Sequence, residues 1–339
     1  MMMTASISLG RFSGLFLSAR TAAALCLIAA PCLAEDAIVK TIAVIPKGTT
    51  HDFWQAVHAG AVKAERELTG TKIIWQGPLR EDDRNNQIQV VQSHVSKGTT
   101  AICLAPLDAR SLRNPVRDAN TRKIPVVIFD SDIEREGVEL VSFVATDNYK
   151  AGQLGGETLA GLIGGKGNVV LLRYAIGSAS TEAREKGFLH EIAKHPDIKL
   201  VSSNQFAGAT AETARKVSGD ILTSLQKEKI GGVFCPNESS TFGMLLALQD
   251  REMTGKVKFI GFDASTKLLE ALKAGKIDGL VVQNPFKMGY KTVKAAAAAL
   301  EGKPVEKRID TGCAVVNKDN IDKPGIAEMI NPPISTYLK

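Results

Sequence analysis

Five apolar runs spread along this 339-residue chain stop at a side chain able to hydrogen-bond a hydroxyl group. IAVIPKG stops at Lys47, PVVIFDSD at Asp130, GGVFCPNES at Asn237, KFIGFD at Asp263 and GLVVQN at Gln283. A carboxylate accepts two hydroxyl protons, a carboxamide donates and accepts, and an ammonium only donates. Phe53 and Trp54 follow closely on the first run. A flat ring covers the apolar C–H face of a pyranose or furanose without competing for its hydroxyls. The chemistry is a noncovalent grip on a small, hydroxyl-rich molecule.

Such residues must be carried to one place. The runs are short and β-like, and stretches of a dozen or more helix-forming residues separate them. The spacing predicts a strand near 41–46, a helix over about 52–68, then KIIWQG, QIQVVQSHVS, TAICLAP, ARSLRNPVRDAN, PVVIFD and SFVATD in strand–helix alternation. A second series starts after Asp147, with NVVLLR, KLVSSNQF, GGVFCPN, KFIGFD and GLVVQN as strands and helices between them. Alternation of this kind predicts an α/β fold of parallel sheets joined by right-handed crossovers. Two series predict two Rossmann-like, doubly wound domains. Ligands of open α/β sheets bind outside the carboxyl ends of the strands, where these polar residues fall. No Pro/Gly/Ser tract divides the chain, so the predicted connection is a multi-segment hinge. The predicted lobes are 35–146 with about 284–309, and 147–283 with about 310–339. The segment after Gly302 is strand-like and suits repeated crossing.

The first 34 residues read as a secretory signal. Arg11 and Arg20 precede the short apolar run TAAALCLIAAPCLA, and Ala34 stands at a cleavage position before Glu35. The run is too short for a membrane span. Neither Cys26 nor Cys32 follows a small residue, as a lipid-attachment cysteine would. Cleavage leaves about 305 residues, enough for two cores. The full chain carries 42 Lys and Arg against 36 Asp and Glu, and two of the basic residues lie in the leader. The remaining excess is interspersed, with no basic block, which speaks against a nucleic-acid partner. Cys103, Cys235 and Cys313 show no C-x-x-C spacing, so neither metal nor redox chemistry is expected. Whether any of the three is disulfide-bonded is open at this level.

Catalytic motifs are lacking. His190 and His195 in HEIAKH are five residues apart, about 140° around a helix, and cannot share a metal. GLIGGKGN fails the spacing of a phosphate loop, and no G-x-S-x-G elbow is present. No metal, no cofactor and no enzyme activity is expected.

Taken in order, IPKGTTHDFW, PVVIFDSD, FVATDN, TEAREKGF, FCPNES, FIGFDAS and LVVQNP resemble the ribose-type periplasmic sugar-binding proteins, the type I solute-binding proteins of ABC importers. That family shares its fold with the sensor domains of LacI-like repressors. The resemblance spans essentially the whole chain after the leader. It implies a hinge of three crossing segments, a monomer, and a sugar or polyol clamped between the lobes. It also implies delivery of that ligand to an inner-membrane ABC permease from the periplasm.

Residue by residue, the resemblance makes Phe53 and Trp54 stacking aromatics and Asp130 and Asp263 the strand-end carboxylates. Arg184 becomes the helix arginine between them, with Asn237 and Gln283 as amide partners. Lys47 and His51 add donors in the first loop. His51 stands where ribose binders have asparagine, and the IPK stretch is similar to a branch that binds signalling sugars of the autoinducer-2 type. Three positions depart from the ribose pattern, at Ala105, Ser131 and Ala209, so ribose is not expected to be the tightest ligand. The alternatives are a signalling-sugar binder, a periplasmic chemosensor and, further off, an exported sugar-acting enzyme. A LacI-type repressor is disfavoured, because a leader stands where its DNA-binding helices would be.

Overall fold

The computed structural model describes residues 39–339; the leader sequence and the cleavage position at Ala34 lie outside the described residues. Strands and helices alternate throughout. The first series runs β1 (Lys40–Ile45), α1 (Asp52–Arg66), β2 (Thr71–Trp75), α2 (Arg84–Lys97), β3 (Ala101–Leu104), α3 (Arg113–Thr121), β4 (Val126–Phe129) and β5 (Ser142–Ala145). The second runs α4 (Asn148–Leu162), β6 (Gly167–Arg173), α5 (Ala179–Ile192), β7 (Ile198–Phe206), α6 (Ala211–Ser224), β8 (Ile230–Phe234), α7 (Glu238–Asp250), β9 (Lys258–Phe262), α8 (Thr266–Lys273) and β10 (Gly279–Gln283). The chain closes with α9 (Pro285–Leu300), β11 (Arg308–Asp310), β12 (Cys313–Val316), α10 (Pro324–Ile330) and α11 (Ile334–Tyr337).

Two six-stranded sheets result, ordered β11-β5-β4-β3-β1-β2 and β12-β10-β9-β8-β6-β7. Every pairing is parallel except β10–β12, an antiparallel edge strand. Parallel sheets are covered by helices on both faces, which calls for continuous apolar runs. The central strands comply: β3, β4 and β10 are buried along their whole length. Each sheet therefore has a core on either face, such as Ile42, Trp54, Val127 and Met288 on one side of the first and Ile102, Leu104 and Ile128 on the other.

The chain passes between the sheets after β5, after β10 and after β11. Helix α9 and strand β11 thereby return to the first sheet, while β12 joins the second. A fourth passage follows α10. The short α11 packs on α1, where Arg66 donates to the carbonyls of Thr336 and Tyr337 and Tyr337 lies against Phe286. The segment read as a helix through ARSLRNPVRDAN begins only at Arg113. Asp108 holds the preceding residues in a turn by accepting the N–H groups of Arg110 and Ser111.

One close approach matters for the site. Helices α4 and α5 cross at Gly152 and Gly187. A Cβ at Gly152 would meet the Arg184 carbonyl, and one at Gly187 would meet that of Tyr149. Only glycine lets the two backbones come this near. That contact sets the position of Arg184.

Candidate ligand-binding site

Strands β4 and β9 occupy corresponding places in the two sheets, and each ends in an aspartate. Asp130 has φ of 59° and Asp263 has φ of 69°. Left-handed backbone is uncommon outside glycine, although aspartate tolerates it better than most residues. Each is held there by the next strand. The Asp130 N–H donates to Val144 and the Asp263 N–H to Val281, at 3.0 and 2.9 Å. Such outliers collect where a side chain must be aimed. Both carboxylates face the space between the lobes, and each is almost fully buried.

Lys47 lies beside Asp130. Its Nζ is 3.1 Å from Asp130 Oδ2 and donates to Ser180 Oγ at 3.1 Å and Ser178 Oγ at 3.3 Å. An ammonium has three protons, so these partners use them all. Two of the three partners come from the other lobe. Lys47 thus ties the lobes together and has no donor left over.

Across the cleft, Arg184 on α5 is 2% exposed. Its Nε donates to Asn148 Oδ1 at 2.8 Å and its Nη1 to the Pro236 carbonyl at 2.9 Å. The guanidinium lies 4.0 Å over the Phe262 ring. Nη2 makes no hydrogen bond among the described residues. Asn148 in turn donates to the Asp130 carbonyl. Asp263 accepts from Gln283 Nε2 at 2.8 Å and from the Glu238 N–H at 2.9 Å. Burial raises the Asp263 carboxyl above its ordinary range, although Arg184 and Gln283 oppose this. Gln283 Oε1 is buried and has no partner. Asn237 is the N-cap of α7, accepting from the Ser240 N–H and donating to Ser239 Oγ.

At the other end stands Glu81, in the loop between β2 and α2. Trp54 Nε1 donates to its Oε1 at 2.7 Å, and Tyr174 Oη donates to its Oε2 at 2.6 Å. His51 Nδ1 forms an ion pair with Oε1 at 2.9 Å. Burial pulls the His51 pKa down, but the charges of Glu81, Glu238 and Asp263 outweigh it and lift the group to about 9. Burial likewise pushes Glu81 up, and His51, Lys47 and Tyr174 outweigh that, holding it at about 2. Glu238, the first residue of α7, is pushed by burial to about 7, with Asp263 and Asp52 adding to the rise.

All nine sequence-predicted residues line one cavity: Lys47, His51, Phe53, Trp54, Asp130, Arg184, Asn237, Asp263 and Gln283. Glu81, Tyr174, Ser180, Thr181 and Glu238 line it as well. The free space enclosed is only about 30 Å³, far below an ordinary ligand pocket, so the lining side chains stand almost against one another. Phe53 and Trp54 meet edge to face, 4.9 Å between centroids. Trp54 is 2% exposed and belongs mostly to the core, whereas Phe53 is half-buried. Ala105, Ser131 and Ala209 do not line the cavity. Ser131 instead accepts the Ser180 N–H across the lobes.

Residues 42–304 match a family model described as a periplasmic binding protein domain. The chain belongs to that family. A crystal structure of a periplasmic component of an ABC-type sugar transport system from Hahella chejuensis is 37% identical. The match covers 82% of this chain and all of that one, with a TM-score of 0.77. A carbohydrate transporter solute-binding protein from Agrobacterium radiobacter, in complex with D-arabinose, is 36% identical, with 86% and 98% covered and a TM-score of 0.81. The ribose import binding protein of Salmonella typhimurium is 28% identical over 296 residues, 86% of this chain and 94% of its own. The two α/β lobes are those of a type I periplasmic binding protein.

Within this periplasmic binding protein, sequence reasoning overlooked Tyr174 and Glu238 although a signal existed. Tyr174 directly follows β6, and Glu238 directly follows Asn237 after β8, so both obey the strand-end rule. Glu81 gave no such signal. It lies in REDD, which reads as a solvated turn.

Proposed function

We propose that this periplasmic binding protein is the solute-binding component of an ABC importer and holds a neutral monosaccharide or short polyol between its lobes. The observation that carries the reading is Gln283 Oε1, buried and unpartnered on a residue that lines the cavity and whose Nε2 donates to Asp263. A buried polar atom without a partner is costly, and a ligand hydroxyl satisfies it. Arg184 Nη2 offers a donor to the same ligand. The nine residues named from the sequence, with Tyr174 and Glu238, are the proposed contact set.

The charge inventory supports a neutral ligand. Lys47, His51 and Arg184 face Asp130, Glu81 and Asp263, and Glu238, at about 7, is divided between its two forms near neutral pH. The cavity is near balance, so a phosphorylated sugar would bring uncompensated charge into a buried space. The signalling-sugar alternative gains nothing from Lys47, whose protons are already engaged. Relatives are binding proteins, which supports binding without turnover. A buried carboxyl near 7 is also what a general acid requires, so the ligand should be recovered chemically unchanged.

Binding proteins of this fold act by closing on the ligand, which stabilises the state that touches both halves. The proposed lobes are 39–146 with 285–310, and 147–284 with 311–330, the last turn docking back on the first lobe. The proposed setting is a monomer in the periplasm that presents its closed form to a membrane permease. The test is a thermal-shift screen of neutral pentoses, hexoses and polyols against their phosphates. A ligand of the native state raises the midpoint by mass action. The reading expects a neutral hit and no phosphorylated one; shifts only with phosphates would overturn it.

A further inference from the structure

We propose that Glu81 is the positioning residue that turns His51 into a pure donor toward the cavity, so that the protein selects ligands presenting an acceptor oxygen there. The proposal rests on the sugar-binding reading for the identity of the ligand, but not for the arrangement itself.

Three side chains, two from the start of α1 and one from the other lobe, converge on this one carboxylate. His51 is the N-cap residue of α1, Trp54 lies in the first turn of α1, and Tyr174 follows β6 in the other lobe. A carboxylate can only accept. Trp54 and Tyr174 have an N–H and an O–H to give, and they give them at 2.7 and 2.6 Å. His51 Nδ1 at 2.9 Å must also carry a proton, since a lone pair would repel the oxygen. That leaves Nε2, which has no hydrogen-bond partner among the described residues. Glu81 also holds the ring in its charged form, with Glu238 and Asp263 acting in the same sense. Both nitrogens then bear protons, and His51 faces the cavity as a donor only. A neutral imidazole with Nδ1–H would instead offer an acceptor at Nε2. The sign of the hydrogen bond demanded of the ligand is therefore set by a residue that need not touch it.

Glu81 also fixes the walls. It holds the Trp54 indole edge, and it holds Tyr174 by its hydroxyl while Glu185 Oε1 accepts the Tyr174 N–H at 3.0 Å. The Tyr174 ring is thus secured at both ends and closes this side of the cavity from the second lobe. The Glu81 side chain is only 8% exposed, and among the described residues these three donors are its close partners.

The test uses Glu81→Gln in the full mature chain. Glutamine keeps the shape but replaces one acceptor with an NH₂ group and removes the charge. By imidazole NMR on ligand-free protein, His51 should titrate near 9 in the parent and at least one pH unit lower in the variant. By calorimetry, the best-bound neutral sugar should lose tenfold or more. A deoxy analogue that the parent rejects should be discriminated less than threefold by the variant. If Glu81→Gln does not fold, Tyr174→Phe serves. It removes one of the three donors, so affinity should fall several-fold while the His51 titration stays in place. An unmoved His51 titration in Glu81→Gln overturns the proposal, as does unchanged ranking of deoxy analogues. Wild-type protein that binds no neutral sugar, with His51 still moved by Glu81→Gln, overturns the sugar reading and upholds the positioning role.

Discussion

Asp130 and Asp263 are the same residue built twice. Each ends the corresponding strand of its sheet, each has a left-handed φ, and each donates its N–H to the adjacent strand. They differ in partners. Asp130 is paired with Lys47, and Asp263 accepts from Gln283 and the Glu238 backbone. One carboxylate therefore anchors, within its own lobe, the lysine that reaches Ser178 and Ser180 of the other, and the second is backed by an amide with an acceptor to spare.

Asp263, backed by that spare acceptor, and Arg184, whose Nη2 makes no hydrogen bond among the described residues, are the positions where substitution should cost binding. Asp263→Asn should weaken sugar binding by about 1.5–3 kcal/mol, roughly ten- to hundredfold, because charge-assisted bonds are lost. Arg184→Ala should fall in the same range. Calorimetry on folded variants checks both; unchanged affinity in the two together would mean that the ligand does not sit between them.

Gly152→Ala should act through packing. The added methyl meets the Arg184 carbonyl. Overpacking of this kind costs about 1–3 kcal/mol, and α5 must shift, carrying the arginine with it. Both the thermal midpoint and the sugar affinity should drop. A variant as stable as the parent would show that α4 and α5 are not in such close contact.

The pH dependence has a definite sign. His51 is raised to about 9 when folded, so its stabilisation is complete below its unfolded value near 6.5 and is lost as pH climbs through 9. Glu238 is raised to about 7, so the folded state holds a proton that the unfolded state releases, and stability also falls from about 4.5 to 7. Urea midpoints should decline from pH 7 to pH 9.5, above the range in which His58 and His94, both lowered by burial, act in the opposite sense, and His51→Gln should flatten that decline. A midpoint that rises over this range would contradict the charge assignments.

Tyr337→Ala should lower the midpoint by about 1.5–2 °C, the effect of about 1 kcal/mol in a protein of this size. Its ring lies against Phe286 and under Arg66. An unchanged midpoint would mean that the tail does not dock on the first lobe.

The strand ends were legible because burial on both faces makes parallel strands apolar, and the first polar residue then marks the rim. Asp130, Asn237, Asp263 and Gln283 all follow this logic. Lys47 was visible as a rim residue, but its partners Ser178 and Ser180 lie more than a hundred residues away. Only the folded chain reveals that its protons are engaged. Glu81 stayed hidden for a related reason. An acid in REDD earns its burial from Tyr174 in the other lobe and from His51, neither of which local sequence can bring near. The fourth passage between lobes was equally invisible, since NPPISTYLK carries a breaker and a few apolar residues but no sign of which helix they meet.

The most direct test of the account is titration calorimetry of the mature protein with a panel of neutral pentoses, hexoses and polyols, D-ribose and the matching sugar phosphates. The account predicts saturable one-to-one binding of a neutral member other than D-ribose, weakened at least tenfold in Asp263→Asn, and no heat from the phosphates. Tightest binding by a sugar phosphate, or a neutral ligand indifferent to Asp263, would contradict it.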